Sequence, residues 1–341
     1  MSAGYHMLAE KLLSYDPRTR KVGAEASTAS FAWAFFVIMW NLMSRTDSVD
    51  GIMLQHIGWR DDSLVIQEQG HKGDQTGTEK YWKHIYANPH KPEVCPVLAL
   101  AVLVFAGAPR ANTGRQQLFM GSNSKDRFGK TLHQILWSLT EGEKQTLAQE
   151  RADIGAYSLR KGSASYCLGQ VGGPNPVTVQ LRMGHSLGKV NDAYFFQGDG
   201  QDQLCGRMVS GLPFNNETFA VLPPRFSSAV QARWWWNIDM WRQLVDGYDN
   251  YPDGFKTAFP YLLASIIYHE DYLRSHLYDA HPLWNSRVFA NNPHLHVLRA
   301  DGSILLGVGY CADTGLRATG IPTHLAIAEK MKTLIQDCGS M

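Results

Sequence analysis

The run "FAWAFFVIMWNLM", Phe31 to Met43, constrains this chain more than any other stretch. It is apolar on every side of a helix, so a helix built from it has no face to give to water and must be wrapped by other elements. It is shorter than the roughly 20 residues a membrane span needs. Ser27, Thr28 and Ser30 offer N-cap candidates just before it, and the polar "SRTD" follows it at once. The expectation is a buried helix. A chain of 341 residues exceeds the usual single core, so two domains, or one large domain with an extension, should enclose it.

Around that helix the pattern is mostly helical. Residues 5 to 15 have helical spacing and "PRTRKVG" breaks them. "SLVIQEQGHKGDQTGTEKYWKHIYA" reads as strand, glycine-rich turn and strand, a small hairpin sheet. "CPVLALAVLVFAGA", "FGKTLHQILWSL", "SLRKGSASYCLGQ" and "PVTVQLRMGHSLG" follow as helices. The stretch "GLPFNNETFAVLPPRF", with Pro213, Pro223 and Pro224, has the composition of an extended linker. The expected division is residues 1–211, a linker over 212–226, and a helical region over 227–341. In "RWWWNIDMW", helical spacing puts Trp234, Ile238 and Trp241 on one side, expected to be a core or interdomain face rather than a base-stacking surface. The fold class expected is mainly α with a small antiparallel β-ribbon.

Composition removes several function classes. Lys plus Arg number 32 against 31 acidic residues, so any nucleic-acid site must be local rather than a global basic field. Five scattered cysteines, without CxxC spacing, fit neither a disulfide framework nor a zinc ribbon and suit a reducing, intracellular compartment. The opening "MSAGYHMLAEKLL" lacks the features of a secretory signal. There is no GxxxxGK[ST] loop and no HExxH helix, and His294, His296, Cys311 and His324 match no strong zinc spacing, so neither cofactor nor metal is expected.

Five separated features remain: Arg45 after the apolar helix, Lys72 in the hairpin turn, Arg160 in "YSLRKG", His185 in "LRMGH" and Tyr194 nine positions later. Taken singly each has an ordinary reading: a helix-end cation, a solvated helix face, a C-cap histidine, a core aromatic. In this order and spacing, over roughly residues 20 to 200, the sequence resembles the catalytic domain of the tyrosine recombinases, and its wording resembles Crypton-type mobile elements of eukaryotes. The most specific matches are "L-x-x-G-H", Leu181 to His185, and the step from His185 to Tyr194. Lys80, Lys83 or His71 fits the hairpin position as well as Lys72 does, because a glycine-rich turn does not fix register. Tyr157 stands where the family usually has histidine; a phenol can donate a hydrogen bond to phosphate but supplies no cation near neutral pH. Asp47 and Ser48 could orient Arg45 or cap the next helix.

The resemblance implies a chemistry that these residue types suit. Two guanidiniums, Arg45 and Arg160, would hold a phosphodiester through paired hydrogen bonds while negative charge grows on it. Tyr194 would attack phosphorus, with His185 assisting or binding the phosphate, and Lys72 would protonate the departing 5′ hydroxyl. The resulting 3′-phosphotyrosyl bond stores the energy for rejoining, so neither ATP nor metal is required. The implied partners are duplex DNA and further copies of the chain, a tetramer during strand exchange, acting in the nucleus if the host is eukaryotic. Only 44 residues precede Arg45, short for the family's N-terminal clamp, so the resemblance implies a truncated element or DNA binding that relies on the C-terminal region. Two rivals stand beside this expectation: a host-recruited DNA-binding remnant without strand exchange, and a topoisomerase-like monomer that relaxes supercoils by the same nucleophile.

Overall fold

A computed structural model describes residues 3–19, 27–68, 82–108, 110, 116–147, 153–185 and 199–325, together with Ile327, Met331 and Ile335. Helix α2 (Ser27–Leu42) lies at the centre, and from Phe31 to Trp40 no residue is more than 4 % exposed. It is enclosed by α1 (Ala3–Leu13), α4 (Pro96–Phe105), α5 (Ser124–Ser138) and α7 (Ala156–Leu168). Both of its buried indoles are paired: that of Trp33 donates to Glu93 O at 2.8 Å and that of Trp40 to Val209 O at 3.0 Å. Tyr5 of α1 stacks on Phe36 and Trp40 with ring centroids 5.2 and 3.9 Å away. The wrapped helix expected from the apolar run is present.

Helix α4 is apolar nearly all round and starts at Pro96, where a missing N–H costs nothing, with the Cys95 sulfur accepting from Leu98 N. The short helices α3 (Thr46–Asp50) and α6 (Glu141–Lys144) flank this layer, and Thr140 and Glu143 close a capping box at the start of α6. A sheet of three antiparallel strands lies beside it: β1 (Ile57–Arg60), β2 (Ser63–Gln67) and β3 (Trp82–Ile85), in that order. The sequence indicated two strands; β1 was missed because Ile57–Arg60 is only four residues long, too short for the alternation of Ile57 and Trp59 to stand out. Asp61, at φ +51°, and Asp62 turn β1 into β2. The buried Asp62 carboxylate pairs with Arg207 and accepts from Thr319 Oγ1 at 2.6 Å, tying this turn to α9 (Asp199–Val209) and to the C-terminal tail. Helix α8 (Pro176–Arg182) precedes α9.

Beyond α9 the chain is again mainly helical, with α10 (Ser228–Gln231), α11 (Ile238–Leu244), α12 (Asp253–Lys256), α13 (Phe259–Tyr268), α14 (Glu270–His276) and α15 (Leu295–Leu298). Strand β4 (Arg225–Phe226) pairs antiparallel with β5 (Ile304–Leu305). Residues Leu212, Phe214, Phe219, Val221 and Phe226, from the proline-rich stretch, are buried in the same core as α2, and α13 packs on α4. Trp59 of β1 stacks on Tyr261 with centroids 3.8 Å apart. The expectation for the tryptophan run needs correction. The helix begins only at Ile238, after a turn, so Trp235, Trp236 and Trp241 meet in the interior while Trp234 is 84 % and Ile238 50 % exposed. Mainly α with small antiparallel sheets is therefore the fold class. No helix among the described residues is long and apolar enough to cross a membrane.

Candidate phosphate site

The site begins where α2 stops. Met43 takes a left-handed conformation, φ +53°, which an L side chain adopts at a cost of about 1 kcal/mol, and the chain turns out of the helix there. Arg45 then serves as the N-cap of α3 in extended conformation, φ −78°, ψ 155°, without a side-chain capping bond. Arg45 is half-buried, and its guanidinium, a donor only, takes no part in capping the helix.

Buried Lys83 and Ser44, with the partly buried Glu68, hold this break. The ammonium of Lys83, on β3, donates to Leu42 O at 3.1 Å, to Ser44 Oγ at 3.0 Å and to Glu68 Oε2 at 2.7 Å. Ser44 Oγ also bonds to the other oxygen of Glu68. Burial pushes the Lys83 ammonium below its ordinary value, opposed by the charge and hydrogen bond of Glu68. An ammonium has three N–H donors, and all three are used here, so Lys83 clamps the end of α2 to the sheet instead of carrying a free proton.

Arg160 arrives from α7. It is 3 % exposed, and its Nη2 donates to Met183 O at 2.7 Å and lies 2.9 Å from His185 Nε2. A guanidinium only donates, so His185 Nε2 is the acceptor and its proton sits on Nδ1. His185 is placed by the end of α8. Gly184 takes φ +66°, its N–H bonds to Leu181 O at 2.8 Å, and His185 N bonds back to Gln180 O at 2.9 Å, the Schellman pattern. The glycine in "LRMGH" is required by that left-handed turn, so the C-cap reading of His185 holds, and the turn carries its ring to Arg160.

The electrostatics bind these groups into one cluster. Burial lowers the His185 imidazole below 6.5, and the charges of Arg160 and then Arg45 lower it further. Arg160 is itself pushed down by burial and then by Arg45, with Glu68 and Tyr157 opposing. Two guanidiniums and a neutral imidazole from three separate elements therefore sit together, and Glu68, the carboxylate that tempers them, is engaged by Lys83 and Ser44. Such a cluster attracts an anion that can accept paired hydrogen bonds, and a bound phosphate would offset the repulsion between the two arginines.

Of the six residues singled out, Arg45, Arg160 and His185 are brought together. Tyr157, one turn before Arg160 on α7, is 74 % exposed and makes no hydrogen bond to the cluster. Lys72 and Tyr194 lie outside the described residues, as do His71 and Lys80. The chain on both sides of the Tyr194 segment is nonetheless anchored: buried Arg182, at the end of α8, pairs with buried Asp202 of α9. Arg182 also donates to Asn41 O at 2.9 Å and His84 O at 2.8 Å, and Asp202 accepts from His84 N at 2.7 Å. Asp47 pairs with exposed Lys125 at 2.7 Å and does not orient Arg45. Among the described residues no group of three or more His, Cys, Asp or Glu could hold a metal ion.

Sequence reasoning missed Glu68, Ser44, Arg182 and Asp202. One signal was available for Lys83: it shares the buried phase of β3 with Ile85, an unusual place for a lysine without a partner.

No protein-family model matches this chain, and no curated protein matches it. Among solved structures it is similar to an Flp recombinase–Holliday junction complex, with a TM-score of 0.46 and 12 % identity over 76 % of this chain and 62 % of that one. It is also similar to a Flpe mutant–DNA Holliday junction complex, with a TM-score of 0.37 and 11 % identity over 57 % of this chain and 46 % of the other. The chain thus spans less than two thirds of the length of the structures it is similar to. A likeness of this size assigns neither residues nor an activity.

Proposed function

We propose that this chain breaks and rejoins DNA as a tyrosine recombinase does. Arg45 and Arg160 hold the scissile phosphate, His185 accepts or shares a proton there, Tyr194 attacks phosphorus, and Lys72 protonates the leaving 5′ oxygen. The observation that carries this reading is the meeting of Arg160 Nη2 and His185 Nε2 at 2.9 Å, with the charge of Arg45, from another element, acting on both. Arg160 also ties α7 to the end of α8 through Met183 O, but a phosphodiester would offset the repulsion between two guanidinium charges and would use the neutral imidazole beside them. In this reading residues 1–211 carry the chemistry and residues 227–341 brace them through the buried 212–226 stretch. The finer identity, a Crypton-type element acting in a eukaryotic nucleus as a tetramer on duplex DNA, rests on the sequence wording.

The test is incubation with nicked duplexes of randomised sequence, in which rejoining is prevented, in buffer containing EDTA. The wild type should form a covalent protein–DNA adduct and Tyr194→Phe should form none. Arg160→Ala should slow adduct formation by about 10²–10³-fold, the usual loss when one donor to developing negative charge is removed. Salt-sensitive binding without any adduct from the wild type would sink this reading in favour of a DNA-binding remnant. The exposure of Tyr157, 74 %, favours that second reading, because the side chain at the position usually held by histidine makes no hydrogen bond to Arg160 or His185.

A further inference from the structure

Away from the cluster, two sulfurs meet in the core. Cys167, in the last turn of α7, and Cys205, in the middle of α9, are both fully buried, and their Sγ atoms lie 4.0 Å apart, with the Cys205 thiol donating to Cys167. Among the described residues neither sulfur bonds to anything else. Cys95 gives the contrast. It is equally buried, but its sulfur accepts from Asn88 N at 3.3 Å and from Leu98 N at 3.5 Å, as a helix cap does.

Both helices are anchored by groups other than the thiols. Asp202 and Arg207 flank Cys205, and their buried pairs with Arg182 and Asp62 pin α9 to α8 and to the β1–β2 turn. Helix α9 also approaches β3 so closely at Gly206 that a side chain there would strike His84 O. On the other side Arg160 ties α7 to the end of α8 through Met183 O at 2.7 Å. The surroundings therefore keep the two sulfurs facing each other. A disulfide needs a separation of about 2.05 Å, so side-chain rotation at the end of α7 has about 2 Å to close. Scattered cysteines without a disulfide framework suit a transient link of this kind better than a permanent one.

We propose that Cys167 and Cys205 form a dithiol modification site, which low-molecular-weight disulfides of the glutathione type convert reversibly into an internal disulfide. One cysteine loses its proton and attacks a sulfur of the small disulfide; a mixed disulfide forms, and one small thiolate leaves with the bonding pair. The second cysteine loses its proton and attacks the protein sulfur of that mixed disulfide. The Sγ–Sγ bond forms, the second small thiolate leaves, and the two displaced thiolates take up the two protons. Two protein thiols are oxidised and one small disulfide is reduced to two thiols, so no other oxidant enters. The hydrogen bond from Cys205, followed by burial, holds the Cys167 thiol well above its ordinary value. The first exchange is therefore slow and passes through local opening of the core. The second is fast, because its partner sulfur is already 4.0 Å away. The link joins the helix that carries Arg160 to the helix that follows Tyr194 in the chain. Residues 168–204, His185 and Tyr194 among them, become a closed loop that reduction reopens.

The test uses the full chain, folded and without DNA, so its outcome is independent of the proposed DNA chemistry. Oxidised glutathione is added at about pH 8.5, where an ordinary thiol is half ionised. After an acid quench the chain is denatured, remaining thiols are alkylated, and unreduced peptides are mapped by mass spectrometry. The free thiols of Cys167 and Cys205 should be lost together, in equal amounts, into one cross-linked peptide pair, while Cys95 remains a free thiol. Dithiothreitol should restore both. In Cys205→Ser, glutathione that reaches Cys167 should stay on it as a mixed disulfide. Recovery of Cys167 and Cys205 as free thiols, or each carrying glutathione without a link in the wild type, would overturn the proposal. So would loss of Cys95 in parallel with them, since the link would then arise in unfolded chains and not from the native contact.

Discussion

At the scale of single residues, the cluster makes His185 report on its neighbours. Its proton is disfavoured by burial and by Arg160 and Arg45, so it is neutral at neutral pH in the free protein. Exchanging Arg160 for Gln removes the larger of the two repelling charges, and the His185 imidazole should titrate at higher pH, as measured by NMR of its ring protons. A bound phosphate acts in the same direction by neutralising both arginines. The complex should therefore take up a proton as it forms, and DNA affinity should rise as pH falls toward the range below 6.5 in which the free imidazole protonates. Affinity that is flat in pH, with His185 unmoved in Arg160→Gln, would mean that the three side chains do not act on one ligand.

At the scale of elements, the site depends on how α2 ends and how α8 ends. Glu68→Gln leaves the Lys83 ammonium buried beside neutral oxygens and should destabilise the protein by on the order of 3 kcal/mol, read as a lower denaturant midpoint at unchanged m-value. Lys83→Met alone instead strands the Glu68 carboxylate, so the double variant Glu68→Gln, Lys83→Met should recover much of either loss. Gly184→Ala places a side chain at φ +66° and should cost about 1 kcal/mol while moving His185 from Arg160. If that variant lost stability but kept the His185 titration of the wild type, the turn would not be what positions the imidazole.

At the scale of the whole molecule, the core joins α1 to the residues beyond the proline-rich stretch, and two buried histidines mark where it is vulnerable to acid. His281 is fully buried; its Nδ1 accepts from Leu283 N at 3.2 Å, which leaves the Nε2 proton for Ser30 Oγ at 2.8 Å. Burial lowers His281 to about 4, and burial followed by the charge of His90 lowers His269 to about 4 as well. Both values lie below the 6.5 of an unfolded histidine, so between pH 6.5 and 4 the unfolded chain binds more protons than the folded one. Stability is complete above that window and falls through it as pH drops. His281→Gln should make the loss shallower by about 1.4 kcal/mol per pH unit within the window, in denaturant titrations at several pH values. An unchanged slope would place the acid sensitivity elsewhere.

This scale also shows what the sequence made legible. The apolar run to Met43 announced the central helix because no other arrangement hides it, and "LRMGH" announced both a helix end and a histidine because a left-handed glycine turn leaves a local signature. Asp62–Arg207, Arg182–Asp202 and Glu68–Lys83 were not legible: each joins residues whose nearness exists only after folding. The tryptophan run was misplaced because a turn at Trp234–Asn237 interrupts the periodicity, leaving Trp234 outside and Trp241 inside.

The central claim is that this cluster serves a nucleophile at Tyr194, and the most direct measurement is where DNA becomes attached. After reaction with a nicked duplex, nuclease and protease digestion followed by mass spectrometry should find a nucleotide 3′-phosphate on the peptide containing Tyr194, in amounts that fall with Arg45→Ala and Arg160→Ala. A nucleotide attached to any other residue, or none attached at all under conditions where the protein binds the duplex, would contradict it.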